Sequence, residues 1–296
     1  MSPTADSSTL QHLEVLSNIM VAWPEKTYLV SAQHGLVYIP IPKNACSNVK
    51  RWMLKLCGLH AEHNHFDHTR QGDIHHCDKH FGIHDCASKE LTSEEMLEHL
   101  KGDAHFRFTV VRNPWARAVS CFLSKFCNYS AYPQIVSQLN MFLGSRGESV
   151  TFRQFVTQIC ATQPCIDVHW APQWLFLCRG FDGKTPVLHD LDLIGRFEQL
   201  EECIRTVGGH LGVDSKLDTR TNSVRYQTSA AEPVLERSWA DVPSMELRAH
   251  KREHGAYPST RLFYDADLVE SVRETYRWDI TLFGYEGGAP QIESAS

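Results

Sequence analysis

The fold is decided by the stretch Leu36-Val37-Tyr38-Ile39-Pro40-Ile41-Pro42-Lys43-Asn44-Ala45-Cys46-Ser47-Asn48-Val49-Lys50-Arg51-Trp52. A short apolar run with β-strand character ends in a Pro-Lys turn, and small polar residues lead into a helical pattern from Val49. The main-chain N–H groups of a first helical turn and the positive end of the helix dipole meet at such a junction. We expect Lys43 and the Ser47 hydroxyl to face the same point. The stretch therefore predicts an oxyanion-binding loop, most simply for phosphate or sulfate.

This loop differs from a Walker A loop, which has the pattern G-x-x-x-x-G-K-[ST] with its lysine at the end. Here Lys43 stands at the beginning of the loop, and no glycine is present. The pattern disfavours an ordinary kinase or nucleoside triphosphatase. A plain strand-to-helix turn with a solvated lysine is the alternative that this stretch alone leaves open.

A second strand is predicted over Phe106-Arg107-Phe108-Thr109-Val110-Val111, and it runs directly into Arg112. Pro114 suits the first turn of a following helix. Ser120 follows Arg112 by eight positions on that helix. A guanidinium fork matches phosphate oxygens, so an arginine and a hydroxyl in this order predict a second phosphate contact.

These two motifs resemble those of sulfotransferases that use 3′-phosphoadenosine 5′-phosphosulfate (PAPS), in particular the carbohydrate sulfotransferase family. The order Pro-Lys-x-x-Cys-Ser-Asn-x-Lys-Arg is similar to the family's 5′-phosphosulfate loop, and residues 108–126 are similar to its 3′-phosphate motif. Residues 193–200 and 276–285 resemble the family's Gly-Arg-x-Glu strand end and closing Phe-Gly-Tyr. There are departures: Asn113 stands where an acidic residue is usual, and Asn44-Ala45 replace the more usual Val-Gly.

The resemblance implies roles for individual residues. The 5′-phosphosulfate would bind to the loop formed by Lys43, Asn44, Ala45, Cys46, Ser47 and Asn48. Lys43 would neutralise charge on the bridging oxygen in the transition state. Arg112 and Ser120 would bind the 3′-phosphate.

The base should be a His or a Glu, and the resemblance implies that it lies between the two motifs, where eight histidines occur from His60 to His84. His84 is the first candidate because it precedes a predicted capped helix, and His80 is the second. A solvated loop histidine is the alternative for each. A structural zinc ion held by His80, His84, Cys77 and Cys86 is a rival interpretation of this cluster, although the spacing matches no compact finger.

The basic, polar stretch 222–261 is predicted either to close over the nucleotide or bind an anionic acceptor, or to be a solvated loop. Arg225 is its first candidate for nucleotide binding. We expect no metal requirement for the reaction.

Bulk composition narrows the class of protein. The chain has 296 residues, 42% of them hydrophobic, and a formal net charge of −6. An extended nucleic-acid-binding face is therefore disfavoured. Residues 1–20 lack a basic segment followed by an apolar one, so we expect neither signal peptide nor membrane anchor. The ten cysteines are scattered, which favours free thiols in a reducing cytoplasm.

Strands separated by helices predict an α/β fold, P-loop-like, with a mainly parallel sheet flanked by helices. Ligands bind beyond the carboxyl ends of the strands in such sheets. We expect a single domain over residues 1–285, frayed over residues 1–9, and a disordered tail over 286–296. The oligomeric state is left open.

The resemblance implies transfer of a sulfonyl group from PAPS to a hydroxyl, or an amine, of a carbohydrate or small polar metabolite. The reaction would release adenosine 3′,5′-bisphosphate. We expect the chain to be a soluble, prokaryotic-like relative of the Golgi members of the carbohydrate sulfotransferase family. One alternative is a nucleotide-dependent phosphoryl transferase, which needs a carboxylate for Mg²⁺ that the motifs do not supply. Another is a non-catalytic nucleotide- or zinc-binding module.

Overall fold

The computed structural model describes residues 29–57, 104–127 and 150–292, apart from residues 32, 163, 166, 183, 184, 214 and 217–237. Its strands are β1 (Leu29–Ser31), β2 (Leu36–Ile39), β3 (Phe106–Val111), β4 (Cys178–Asp182), β5 (Thr185–Leu188) and β6 (Leu193–Arg196). Its α-helices are α1 (Cys46–Leu56), α2 (Pro114–Lys125), α3 (Phe152–Gln154), α4 (Leu200–Leu211), α5 (Ser244–His254), α6 (Ala266–Thr275) and α7 (Arg277–Phe283). A π-helical segment, Phe155–Cys160, continues α3. Short 3₁₀ turns occupy Gln173–Phe176, Phe197–Gln199, Trp239–Asp241 and Thr260–Phe263.

The chain divides into two compact units. The first unit comprises residues 1–111 and 173–221, and the second comprises residues 112–172 and 222–296. Within the described ranges, none of the helices has the length and apolar character needed to cross a membrane.

The first unit contains a four-stranded sheet in the order β1-β2-β3-β6. β1 is antiparallel to β2, whereas β2, β3 and β6 run parallel, with Ile39 opposite Thr109 and Val111 opposite Arg196. The parallel strands therefore end at one edge of the sheet. This arrangement confirms the predicted mainly parallel α/β fold. The antiparallel hairpin of β4 and β5 was not predicted.

One hydrophobic cluster of the first unit lies on one face of this sheet. Tyr38 stacks on Phe108 at a centroid distance of 4.9 Å, and Trp52 of α1 packs edge-on against Phe108 at 6.4 Å. α4 contributes Ile204 and Val207 to the same cluster. Both helices therefore pack on the apolar side chains that β2 and β3 present at alternate positions.

The second unit is built from helices around an aromatic core. Phe122 of α2 contacts Phe152 and Phe155 at centroid distances of 5.5 and 5.8 Å. Thr151 and Gln154 form a capping box at the start of α3. The Arg153 guanidinium donates to Asp241 at 2.6 Å and to Asp265 at 2.8 Å. These ion pairs tie α3 to the start of α6, where Asp265 is the N-cap.

Two helical segments of the second unit differ from simple readings of the local sequence. After Asp265 the chain forms two helices, α6 and α7, separated at Tyr276. The Tyr276 hydroxyl donates to the carbonyl of Trp170 at 2.7 Å, a contact 106 positions away in the chain. The prediction of a solvated loop is wrong for residues 244–254 of the basic stretch, because they form α5. This helix ends at Gly255, which has φ 74°.

Candidate functional site

The loop between β2 and α1 has a strained backbone. Lys43 has φ 72° and Ala45 has φ 61°, and they are the two non-glycine residues with positive φ in the part of the chain that the structure describes. A left-handed backbone costs an L-residue about 1–2 kcal/mol. Turns with residues of this handedness turn successive N–H groups toward one point, where an anion can bind. Strain of this kind is concentrated at ligand-binding segments.

The start of α1 provides further donors. The helix closes on Ala45, whose carbonyl accepts from Asn48 N at 2.8 Å and from Val49 N at 3.1 Å. The N–H groups of Cys46 and Ser47 belong to the first helical turn, whose N–H groups have no acceptor within the helix itself. The first turn contains no acidic side chain. The charge and donors at this end therefore suit an anion.

Asn44 connects this loop to the interior of the first unit. Its side chain is fully buried, and Nδ2 donates to Val110 O at 2.9 Å and to Gln173 Oε1 at 2.6 Å. A contribution of Asn44 to anion binding would therefore come from its main chain. Gln173 was not predicted as a site residue; the available signal was a polar side chain directly before the apolar run Trp174-Leu175-Phe176.

The second motif begins with Arg112, which directly follows β3 in the chain. The Arg112 side chain is buried, and so is Ser120 in the middle of α2. Asn113 is the N-cap of α2, with Oδ1 accepting from Ala116 N at 3.1 Å. Its Nδ2 also donates to Gly288 O at 2.6 Å. A carboxylate at this position would keep the cap but lose the donor, which explains the use of an amide here.

A carboxylate–imidazole pair lies in the second unit outside both motifs. Asp167 Oδ1 bonds the His169 ring at Nδ1 over 2.6 Å and accepts from His169 N at 2.7 Å. Burial opposes ionisation of Asp167, but the bonds from His169 outweigh it and lower the pKa of the carboxyl, with Lys125 contributing. An imidazole oriented in this way has the arrangement of a proton acceptor. The sequence signal was the Asp-x-His spacing.

The predicted site residues fall into three groups. Lys43, Asn44, Ala45, Cys46, Ser47 and Asn48 lie together in the first unit. Arg112 and Ser120 belong to the second unit. His80, His84 and Arg225 lie outside the described residues, as do Cys77 and Cys86. Among the residues that are described, no group of three or more His, Cys, Asp or Glu side chains could hold a metal ion.

Comparison with known proteins adds a family. Carbohydrate sulfotransferase 14 of Danio rerio is 28% identical over 211 residues, which are 68% of this chain and 48% of that protein. Carbohydrate sulfotransferase 8 of Homo sapiens is 28% identical over 188 residues, 58% of this chain and 40% of that protein. Carbohydrate sulfotransferase 12 of Mus musculus is 25% identical over 243 residues, 73% of this chain and 54% of that protein.

The chain thus spans about half the length of these curated relatives. No solved structure matches it. The model of the sulfotransferase family matches residues 26–286, a range that contains both phosphate motifs and every strand of the sheet. On this match, the chain belongs to the sulfotransferase family.

Proposed function

We propose that the chain is a PAPS-dependent sulfotransferase that sulfates a carbohydrate hydroxyl and releases adenosine 3′,5′-bisphosphate. The observation that carries this proposal is the left-handed loop of Lys43 and Ala45 at the start of α1. This loop would offer a lysine and a helix N-terminus to one anion, in a chain whose family transfers sulfonyl groups.

The donor would bind through both motifs. The main chain of the loop from Lys43 to Asn48 would hold the 5′-phosphosulfate, and Arg112 with Ser120 would hold the 3′-phosphate. PAPS supplies the sulfonyl group when bound. Lys43 would stabilise the negative charge that develops on the phosphate oxygen of the leaving group. This stabilisation lowers the barrier because the charge on that oxygen grows in the transition state. The contacts made by Arg112 would fix the geometry of the reacting end.

The acceptor proposal comes from the names of the relatives, which are carbohydrate sulfotransferases. A sugar hydroxyl therefore comes first, before an amine or a small polar metabolite. His84, and after it His80, would take the proton from this hydroxyl. His169 is the comparison residue, since its ring is already held by a carboxylate. We propose that the reaction requires no metal ion. Metal analysis of the purified protein tests the alternative that the histidine cluster binds zinc.

Calorimetric titration tests the nucleotide site. Adenosine 3′,5′-bisphosphate should bind more tightly than 5′-AMP or ATP. Arg112→Ala should weaken its binding about 10- to 100-fold, as expected for loss of a charged hydrogen bond to phosphate. Arg205→Ala, at an exposed site on α4, is the matched control and should bind as the wild type does. Equal affinity for the bisphosphate and 5′-AMP would refute the sulfotransferase proposal, and preference for ATP would favour a phosphoryl transferase.

Turnover tests the base. Release of adenosine 3′,5′-bisphosphate from PAPS is followed with a carbohydrate acceptor for His84→Ala, His80→Ala and His169→Ala. Loss of turnover with retained bisphosphate binding identifies the proton acceptor. Normal turnover in both His84→Ala and His80→Ala would remove our assignment, and loss confined to His169→Ala would transfer the role to the Asp167-bound imidazole. Binding without turnover in the wild type would favour a non-catalytic module.

We also propose a cytoplasmic location. The support is chemical: eight cysteines in the described part of the chain are free, five of them buried. Thiol titration of the denatured protein, purified without reductant from a cytoplasmic fraction, should return all ten thiols of the sequence. Recovery of fewer thiols, or of the protein outside that fraction, would contradict this location.

A further inference from the structure

The oxyanion loop adopts its left-handed turns without a glycine. Lys43 and Ala45 carry the positive φ values, and Asn44 between them is the one residue from Lys43 to Asn48 whose side chain is fully buried. Left to itself, an alanine prefers other backbone regions. Some contact outside the loop must therefore favour this conformation.

The Asn44 amide supplies that contact. Nδ2 uses both of its hydrogens within the first unit, one on Val110 O and one on Gln173 Oε1. Val110 belongs to β3, whose ladder with β2 and β6 fixes the position of its carbonyl. Gln173 is also fully buried, at the start of a 3₁₀ turn. Asn44 is therefore held at two points, one of them in the central sheet.

Burial makes these bonds selective for one loop conformation. Turning Asn44 away would leave a strand carbonyl and a glutamine oxygen buried without this donor, and an unmade buried hydrogen bond is costly. The main-chain atoms of Asn44 connect directly to Lys43 and Ala45. Fixing the Asn44 side chain consequently limits the φ values available on both sides of it.

We propose that Asn44 and Gln173 are positioning residues for the donor site, and that their hydrogen bond holds the glycine-free loop in its anion-binding conformation. The inference rests on the proposed function, since it takes the loop to bind the 5′-phosphate end of the nucleotide. Neither side chain needs to touch the nucleotide. Gln173, which lies outside both phosphate motifs, would then contribute indirectly to donor binding.

A double-mutant cycle tests this proposal. Asn44→Leu keeps the approximate shape of the side chain and removes both hydrogen bonds. We expect it to weaken binding of adenosine 3′,5′-bisphosphate about tenfold, the equivalent of one lost hydrogen bond of ordinary strength. Ala45→Gly in that background should recover part of the affinity, because glycine adopts positive φ without steric cost. In the wild-type background, where Asn44 already holds the loop, Ala45→Gly should change affinity much less.

Gln173→Met should weaken binding in the same direction as Asn44→Leu. Combining the two should cost less than the sum of their separate effects, because they remove one shared bond. Thr109→Val is the matched control. Thr109 is equally buried, and its hydroxyl donates to Ile39 O at 2.7 Å, a bond between β3 and β2 that does not involve the Asn44 or Gln173 side chain. It should lower the denaturation midpoint but leave bisphosphate affinity unchanged.

The readouts separate the two proposals. If wild-type protein does not bind the bisphosphate, the proposed function fails before the cycle begins. If wild type binds and folded Asn44→Leu binds equally well, the positioning role is refuted while the function stands. Ala45→Gly effects of equal size in both backgrounds would also refute it, as would loss of affinity in Thr109→Val. Inorganic sulfate, titrated in parallel, should show the same order of variants, because it needs only the loop.

Discussion

Gly195 lies in β6 where α4 packs against the sheet, and it has no room for a side chain. A Cβ built on Gly195 would meet the Cys203 sulfur and lie only 2.8 Å from Cys203 Cβ, with Thr109 O at 3.6 Å. Carbon atoms in contact normally stand about 3.5–4.0 Å apart. Gly195→Ala would therefore force α4 and the strand apart by roughly 1 Å, judged from that normal separation.

The expected cost follows from two opposing terms. Overpacking a core typically costs about 1–3 kcal/mol, and the upper end applies because a rotation of the Cys203 side chain moves its sulfur but not its Cβ. Replacing glycine also reduces the freedom of the unfolded chain, which returns up to about 1 kcal/mol. We expect Gly195→Ala to lower the free energy of unfolding by about 2 kcal/mol. Urea denaturation followed by tryptophan fluorescence measures the change.

Two companion variants sharpen the test. Gly209→Ala changes a glycine in the same helix where no atom lies within 4 Å of the new Cβ, and it should raise stability by about 0.5–1 kcal/mol. Cys203→Ala removes the nearest sulfur but not Cβ, so added to Gly195→Ala it should recover part of the loss. The packing argument would be wrong if Gly195→Ala were neutral, or if the effects of Gly195→Ala and Cys203→Ala were simply additive.

Three further outcomes are expected. Asp265→Ala loses the N-cap bond that Asp265 accepts from Leu268 N at 3.0 Å and the bond that it accepts from Arg153. Urea denaturation should therefore show a free energy of unfolding that is lower by about 1–2 kcal/mol. Asp267→Ala, in the same helical turn, is the control and should lower it little. Burial opposes ionisation of Asp192, yet the bonds from Arg107 outweigh burial and lower the pKa of Asp192 below the ordinary value of 3.8. The stability that the Asp192 carboxylate contributes is therefore complete above that value and is lost as pH falls through the folded pKa. The stability advantage of wild type over Asp192→Asn should consequently shrink between pH 5 and pH 3. A constant advantage over that range would contradict the carboxylate's role. Asn113→Asp keeps the cap of α2 but cannot donate to Gly288 O, and hydrogen exchange should rise at residues 285–290 while the start of α2 stays protected; unchanged exchange would show that this bond contributes little.

The elements that the sequence predicted well have strong local signals. β2, the loop and α1 were predicted because an apolar run, a Pro-Lys turn and a helical period follow one another within residues 36–56. The start of α2 was predicted because Pro114 fits a first helical turn. Gly212 ends α4 with φ 68°, the left-handed conformation that favours glycine after a helix.

The features that were missed depend on distant contacts or weak patterns. No glycine or proline marks the break at Tyr276, which a hydrogen bond to Trp170 accompanies. α5 buries Leu247 as its one large apolar side chain, so its sequence shows little helical period. The link between Asn44 and Gln173 spans 129 positions, and neither residue type alone indicates the other.

The cysteine at the oxyanion loop differs in accessibility from the buried cysteines of the core. Burial raises the pKa of Cys203 to about 11 and likewise raises the pKa of Cys160, so alkylating reagents meet protonated, enclosed sulfurs there. Cys46, the first residue of α1, is only half-buried. Peptide-resolved alkylation can therefore monitor the oxyanion loop from inside the native sequence, with no introduced probe and with the enclosed cysteines serving as internal standards for unfolding.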